Sequence, residues 1–213
     1  MNSKTRSLLL ASMLLPSITS TLSVAQEAST SQQNAGPSQE DILRVARAVH
    51  KAIVTLPQYG VFDNIHFGIK GRTVILRGQA SRPTLKSGCE NAVKKIEGVQ
   101  GVDNQIEVLP VSPNDDKIRA QVYAKIYVNS ALSRYTSNRG GGRYMSSTRR
   151  AMGITNDPPI GWHAIHIIVK NGNVTLEGVV DNASDLSIAE MQANTTFGVF
   201  SVENNLQVAK EEK

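Results

Sequence analysis

The sequence has few aromatic residues, a single cysteine and no long apolar segment within its 213 residues. Aromatic residues make up 5% of the chain and hydrophobic residues 40%, which favours two small aliphatic cores over one large core. The one cysteine, Cys89, cannot form an internal disulfide. The apolar run Leu8–Leu15 is too short to span a bilayer, and no other segment is long and apolar enough to do so.

Motifs of the usual catalytic kinds are also missing. The sequence contains no nucleophile elbow, no HExxH and no phosphate-binding loop. The run Gly140–Gly142 neither follows a predicted strand nor precedes Lys-Ser or Lys-Thr, so we interpret it as a flexible hinge. We therefore expect no enzyme activity, no catalytic residue and no cofactor.

The histidines do not predict a metal site. His66 and His166 occupy equivalent outward positions on predicted strands, which favours solvent-facing or edge-facing side chains. His163 and His166 form an H-x-x-H pair, but a spacing of three on a strand places them on opposite faces. No carboxylate or thiol stands nearby to complete a ligand shell, so we expect no bound metal.

The N-terminal residues have the pattern of a secretory signal peptide. Lys4 and Arg6 precede the short apolar run, and Ser23-Val24-Ala25 places small residues before a cut at Gln26. A retained membrane anchor is the alternative. The formal net charge is +5, and it falls to +3 without Lys4 and Arg6, too little to argue for nucleic acid. We predict export to the periplasm after cleavage.

A strand–turn–strand unit occurs twice in the same register. Residues 65–78 read IHFGIKGRTVILRG and residues 165–178 read IHIIVKNGNVTLEG. Alternating apolar residues predict half-buried strands, and Asn171-Gly172 is a strong hairpin signal because both positions favour positive φ. Gly78 and Gly178 end each unit, where we expect a bulge or a close backbone approach.

Helical patterns surround each hairpin. Ser38 is a candidate cap for a first helix with a stripe through Val45, Val49 and Ile53, and Asn114 or Asp115 is the candidate cap of its later equivalent. A helix after the first hairpin carries Leu85, Cys89, Ala92, Val93 and Ile96 on one face and is predicted to end at Gly98. We expect Cys89 to be a buried core residue rather than a reactive thiol. In the second copy Asp185 replaces Leu85, which suggests a face built instead from Leu186, Ala189, Ala193 and Phe197.

Each repeat is thus predicted to be helix–strand–strand–helix–strand. The boundaries that we predict are a signal peptide at 1–25, a disordered leader at 26–37, a first domain at 38–109, a linker at 110–116, a second domain at 117–208 and a tail at 209–213. Ile42 aligns with Ile118 at an offset of 76 residues, whereas Ile65 aligns with Ile165 at an offset of 100, so the second copy contains 24 additional residues. They fall within about 132–160, a segment rich in Arg and Gly.

The repeat endings resemble those of the BON domain, a family of bacterial osmotically inducible envelope proteins and nodulation proteins. The resemblance covers nearly all of 38–208 and rests on two copies of G-V-x-x-V-x-N-x-[IL]-x-V, at 98–108 and 198–208, and on V-x-L-x-G at each hairpin end. It implies an α+β fold with two tandem αββαβ domains, each a three-stranded sheet covered on one face by two helices. The matched residues that we expect to specify the fold are Gly78, Gly98, Val99, Asn104, Gly178, Gly198, Val199 and Asn204.

The resemblance also implies a non-catalytic envelope protein that binds phospholipid and supports membranes under stress. The Arg-rich insertion is not part of the family pattern, and it could contact an anionic surface because each basic group near such a surface contributes about 1 kcal/mol. The candidate lipid- or anion-binding residues are Arg134, Arg139, Arg143, Tyr144, Arg149 and Arg150. The alternatives are a solvated loop without a partner, or a module that binds another envelope protein. Nucleic acid is not an expected partner, because an exported protein rarely meets it.

Overall fold

Secondary structure follows the predicted order of elements. In a computed structural model, residues 37–135 and 163–209 are described. The first repeat contains α1 (Gln39–Val54), β1 (Asn64–Lys70), β2 (Thr73–Ala80), α2 (Pro83–Val93), β3 (Gly101–Asn104) and β4 (Glu107–Val108). The second contains α3 (Pro113–Val128), a 3-10 turn (Ser133–Tyr135), β5 (Ile165–Lys170), β6 (Asn173–Val180), α4 (Ala183–Asn194) and β7 (Ser201–Val208). The predicted α+β class with two αββαβ repeats is confirmed.

Each repeat has a mixed sheet with its hairpin at one side. β1 pairs antiparallel with β2, and β2 pairs parallel with β3 and, further along, with β4. β5 pairs antiparallel with β6, and β6 pairs parallel with β7 over the whole of that strand. β3 and β4 therefore occupy the place that the continuous β7 fills in the second repeat. The crossover helix of each repeat, α2 or α4, is the long connection that a parallel pair requires.

The helices cover one face of each sheet. In the first repeat Val49 of α1 and Leu85 of α2 are fully buried against Val74 and Leu76 of β2, and Cys89 belongs to the same core. In the second repeat Ile118, Val122 and Ile126 of α3 face the sheet as the spacing predicts. Burial also raises the pKa of the Cys89 thiol to about 11, which keeps it protonated and unreactive.

The helix caps agree with the sequence in one case and differ in the other. Ser38 caps α1, and its hydroxyl accepts the Asp41 amide at 3.1 Å, as predicted. For α3 the prediction of Asn114 or Asp115 was wrong, because Ser112 is the cap and Pro113 occupies the first turn. Residues 113–116, which we assigned to the linker, are therefore helical. Pro113 is well suited there because the first turn needs no amide donor from it.

Two further sequence expectations need correction. α2 ends at Val93, and Gly98 lies in the following turn with φ +94° instead of at the helix end. In α4 the predicted residues Ala189 and Ala193 are buried and Leu186 packs against the core, but Phe197, which we placed on the same face, is 89% exposed. Asp185, at the position of Leu85, and Thr196 are buried instead.

Gly78 and Gly178 are required by a close backbone approach. Their φ angles are +110° and +131°. A Cβ atom at Gly78 would lie 2.0 Å from the Asn64 carbonyl oxygen, and one at Gly178 would lie 1.9 Å from that of Ala164. The side chain of any other residue is therefore excluded at both hairpin ends.

Several predicted segments lie outside the described residues. They are the signal peptide, the leader before Pro37, and most of the insertion, with Arg139, Arg143, Tyr144, Arg149 and Arg150. Within 37–135 and 163–209, none of the helices combines the length and apolar character needed to cross a bilayer.

Candidate functional site

The two described segments of the second repeat meet beside β5. The Ala164 amide donates to the Tyr135 carbonyl at 3.0 Å, so the last described residue before the gap lies next to the start of β5. This hydrogen bond ties the 3-10 turn at Ser133–Tyr135 to the second sheet.

Arg134 precedes Tyr135 in the 3-10 turn and is held by partners within the second repeat. Its Nε donates to Asp181 at 2.9 Å, and its terminal nitrogens donate to the Asp185 carboxylate, the Tyr135 hydroxyl and the Ala131 carbonyl. Hydrogen bonding to Tyr135 and the two carboxylates raises the pKa of the guanidinium. We grouped Arg134 with the anion-binding arginines, but in the structure its charge is balanced inside the domain.

Tyr135 and Asp185 complete this network. The Tyr135 hydroxyl donates to Asp185 at 2.5 Å and accepts the Asp181 amide at 2.8 Å. Burial and the adjacent Asp185 carboxylate raise the pKa of Tyr135. Asp185 sits at a core position where the first repeat has Leu85, and its charge is tolerated because Arg134 and Tyr135 bind it. The network ties the 3-10 turn to the start of α4.

The fold-specifying asparagines join a helix to the third strand in both repeats. The Asn104 amide donates to the Lys86 carbonyl at 2.9 Å and to Glu90 at 3.1 Å. Asn204 makes the equivalent bonds to the Leu186 carbonyl at 3.2 Å and to Glu190 at 3.0 Å. Each asparagine oxygen also accepts the amide two residues later, at Ile106 or Leu206. Both asparagines therefore link the crossover helix of their repeat to the neighbouring strand.

The two repeats share a seam that the sequence did not predict. Val61 and Phe62, from the loop between α1 and β1, are buried in the core of the second repeat. The Ile167 amide donates to the Val61 carbonyl at 2.8 Å, so this loop covers the edge of β5. The adjacent apolar pair Val61-Phe62 marks part of this loop for burial, but the sequence does not indicate which core receives it.

Asp63 shapes the seam loop. Its buried carboxylate accepts the Gly60 amide at 2.9 Å and the Ser81 amide at 2.6 Å. Burial raises the pKa of Asp63, and the hydrogen bonds from Ser81 and Gly60 oppose that rise. The carboxylate therefore ties the loop to the end of β2 and directs Val61 and Phe62 toward the second repeat.

The seam also makes the two histidines unlike each other. His66 is exposed, whereas His166 packs against Tyr59 with ring centroids 5.6 Å apart. Burial, together with nearby His163, lowers the pKa of His166 to about 4, although the carbonyls of Gly60 and Asp63 oppose the change. We interpreted both histidines as solvent-facing or edge-facing residues. His66 is exposed, as we expected. His166 lies on the edge strand β5, but Tyr59 covers it.

A cleft of about 320 Å³ lies along the seam. Gln79, Glu107 and Leu109 line it from the first repeat, and Lys170, Asn173 and Thr175 are among the lining residues of the second. Lys170 spans it and donates to Glu107 at 2.6 Å. Within the described part of the chain, no group of three His, Cys, Asp or Glu residues could hold a metal ion.

Comparison with known proteins identifies the family. A family model described as "BON domain" matches residues 44–110 and 154–210, more than half of the chain. The chain belongs to the BON domain family. The two matched regions agree with the two tandem copies inferred from the repeat. BON membership indicates an envelope-associated binding module, and the family is generally non-catalytic.

The other comparisons add little. No curated protein matches this BON protein. Two solved structures of CdsD, a structural protein of the type III secretion system of Chlamydia trachomatis, are similar to it at 13% and 14% identity. The first covers 82% of this chain and 100% of the CdsD C-terminal domain, with a TM-score of 0.25, and the second covers 79% and 94%, with a TM-score of 0.24. Such weak similarity carries no conclusion about function.

Proposed function

We propose that this BON protein is an exported, non-catalytic binding protein of the bacterial envelope. It acts in the periplasm, associates with anionic phospholipid surfaces and supports envelope integrity under stress. Family membership supports the envelope setting, and the predicted signal peptide supports export. The proposal concerns the whole chain, with two structural repeats that serve as the scaffold.

The composition of the insertion is the main support for a lipid ligand. Four arginines and Tyr144 stand in a segment with no acidic residue before Asp157. Guanidinium groups bind phosphate oxygens in two-point geometry, and aromatic rings suit the membrane interface. The contacting residues that we propose are Arg139, Arg143, Tyr144, Arg149 and Arg150. Arg134 is left out because Asp181 and Asp185 already bind it.

Vesicle flotation tests this function. The mature protein should float with phosphatidylglycerol vesicles, should not float with phosphatidylcholine vesicles, and should lose binding as salt rises. Replacing Arg139, Arg143, Arg149 and Arg150 with Ser should weaken binding by at least about tenfold, because each basic group contributes on the order of 1 kcal/mol.

A matched control removes the same charge elsewhere. Replacing the exposed residues Arg47, Lys51, Lys70 and Lys95 with Ser changes the net charge equally but leaves the insertion intact. Binding should then fall much less. Equal losses in the two variants would mean that overall charge, and not the insertion, attracts the membrane.

A second candidate function is binding of another envelope protein by strand addition. β7 pairs with β6, and its other edge has no partner strand among the described residues. An open edge can accept an extended segment of a partner. Failure of the mature protein to float with acidic vesicles at low salt would favour this candidate over the lipid ligand.

A further inference from the structure

The loop between α4 and β7 exposes two large apolar side chains. Phe197 is 89% exposed and Phe200 is 80% exposed. Their equivalents in the first repeat are Glu97 and Gln100, which are also exposed. The fold therefore does not require phenylalanine at either position. Two exposed aromatic side chains three residues apart in one loop are typical of a contact surface.

This loop is held against the tip of the second hairpin. The Phe200 amide donates to the Gly172 carbonyl at 2.9 Å. The Phe200 ring lies over Gly172, where an added Cβ atom would come within 2.4 Å of the ring. The buried Asp115 carboxylate accepts the Asn171 amide at 2.9 Å and the Gly172 amide at 2.8 Å. The phenylalanines thus project from a supported tip.

Basic side chains flank the phenylalanines. Lys125 of α3 donates to the Thr195 hydroxyl at 3.1 Å, which places its ammonium group at the base of the loop. Lys117 is exposed and adjacent to Ile118, whose side chain lies under Gly198. The nearby Asp116 is bound to Arg119 at 2.6 Å. The tip therefore combines apolar rings with positive charge.

We propose that the loop Thr195–Phe200 enters the interfacial region of an anionic phospholipid bilayer. Phe197 and Phe200 supply the apolar contact, and Lys117 and Lys125 face the headgroup phosphates. This inference rests on the proposed lipid-binding function and adds a second contact site. None of the residues of this site belongs to the insertion, and the hairpin tip lies about 20 Å along β5 from the start of that strand at Ile165.

The small area of the tip favours a bilayer over a protein partner. Two phenylalanines can bury roughly 300–500 Å². A stable protein interface buries about 800 Å² on each partner. A bilayer needs no such complementary surface. Apolar side chains enter its acyl-chain boundary, and lysines stay in its headgroup layer.

Flotation of a variant that imitates the first repeat tests the site. Replacing Phe197 and Phe200 with Gln keeps the net charge, and Gln100 shows that the repeat accommodates it. We expect binding to phosphatidylglycerol vesicles to fall at least about tenfold. The control variant replaces Leu43 and Val111, which are 48% and 95% exposed, with Gln and should bind as the parent does. Circular dichroism confirms that each variant is folded.

Tryptophan fluorescence gives a second measurement. It detects contact between the loop and lipid in a variant that still binds the vesicles. The variant Phe200→Trp, made with Trp162→Phe so that it contains one tryptophan, should shift its emission to the blue and be quenched by brominated lipid. Val111→Trp in the same background should not. If the parent protein does not bind acidic vesicles, both the proposed function and this inference are overturned. If it binds, but the Gln variant binds equally and the tryptophan of the Phe200→Trp variant is not quenched, only this inference is overturned.

Discussion

The Ile167 amide donates to the Val61 carbonyl at 2.8 Å, and this bond joins the first repeat to the edge strand of the second. Phe62 follows Val61 into the second core, where its ring lies 6.2 Å from that of Tyr123. The second core is therefore completed by residues that belong to the first repeat in sequence. This packing should make the stability of the protein sensitive to loss of Phe62, and the burial of His166 in the same seam should make stability depend on pH.

Replacing Phe62 with Ala should destabilise the protein strongly. Its side chain is 2% exposed, and removal of a buried phenylalanine costs about 3–5 kcal/mol. Urea denaturation measures the loss. Phe197→Ala is the control, because an exposed side chain should change the free energy of unfolding by only about 0.5 kcal/mol. Similar losses in both variants would contradict the described seam.

The variant His166→Gln should reduce the pH dependence of stability in acid. Burial holds the pKa of His166 at about 4 in the folded protein, against about 6.5 in the unfolded chain. Between these values the unfolded state binds more protons, so stability falls as pH falls, by at most about 1.4 kcal/mol per pH unit. Well above the unfolded pKa, His166 contributes no slope.

Denaturation curves between about pH 7 and 4 check this expectation. His66→Gln is the matched control, because His66 is the equivalent residue and is exposed. The slope should be flatter in His166→Gln than in His66→Gln. Identical slopes in the two variants would show that His166 does not titrate as its burial implies.

Asp185→Ala should cost more than Asp181→Ala. Asp185 is buried, and its removal leaves the Tyr135 hydroxyl and part of the Arg134 guanidinium without an acceptor. An unsatisfied buried polar group costs about 1–3 kcal/mol. Asp181 also binds Arg134, but its side chain is 64% exposed, so its loss should cost less than about 1 kcal/mol. Thermal unfolding of the two variants tests the order, and a larger effect at Asp181 would contradict it.

Gly178→Ala should be poorly tolerated, whereas Gly68→Ala should be nearly neutral. A methyl group at Gly178 would meet the Ala164 carbonyl at a φ of +131°, and strain of this kind costs more than about 2 kcal/mol. At Gly68 no atom lies within 4 Å of the added Cβ, so the substitution should change stability by only about 0.5 kcal/mol. Chemical denaturation of both variants provides the comparison.

Local patterns predicted the elements of the fold well. Period-two alternation at Val74 and Leu76, helical spacing at Ile118 and Val122, and positive-φ turn residues at 171–172 all correspond to the structure. Such signals are short in range, and each reports which side of an element is apolar. The candidate arginines were chosen from composition alone, and Arg134 is the one among them that lies within the described residues, where Asp181 and Asp185 bind it.

The sequence alone therefore determined the repeat, the order of helices and strands, and membership of the BON family, because these depend on residues close together in the chain. Tertiary structure decided what covers each face. It buried Asp185 beside Arg134, placed Val61 and Phe62 in the second core, and left Phe197 exposed. These outcomes depend on contacts between segments far apart in sequence, and neither periodicity nor composition reports them.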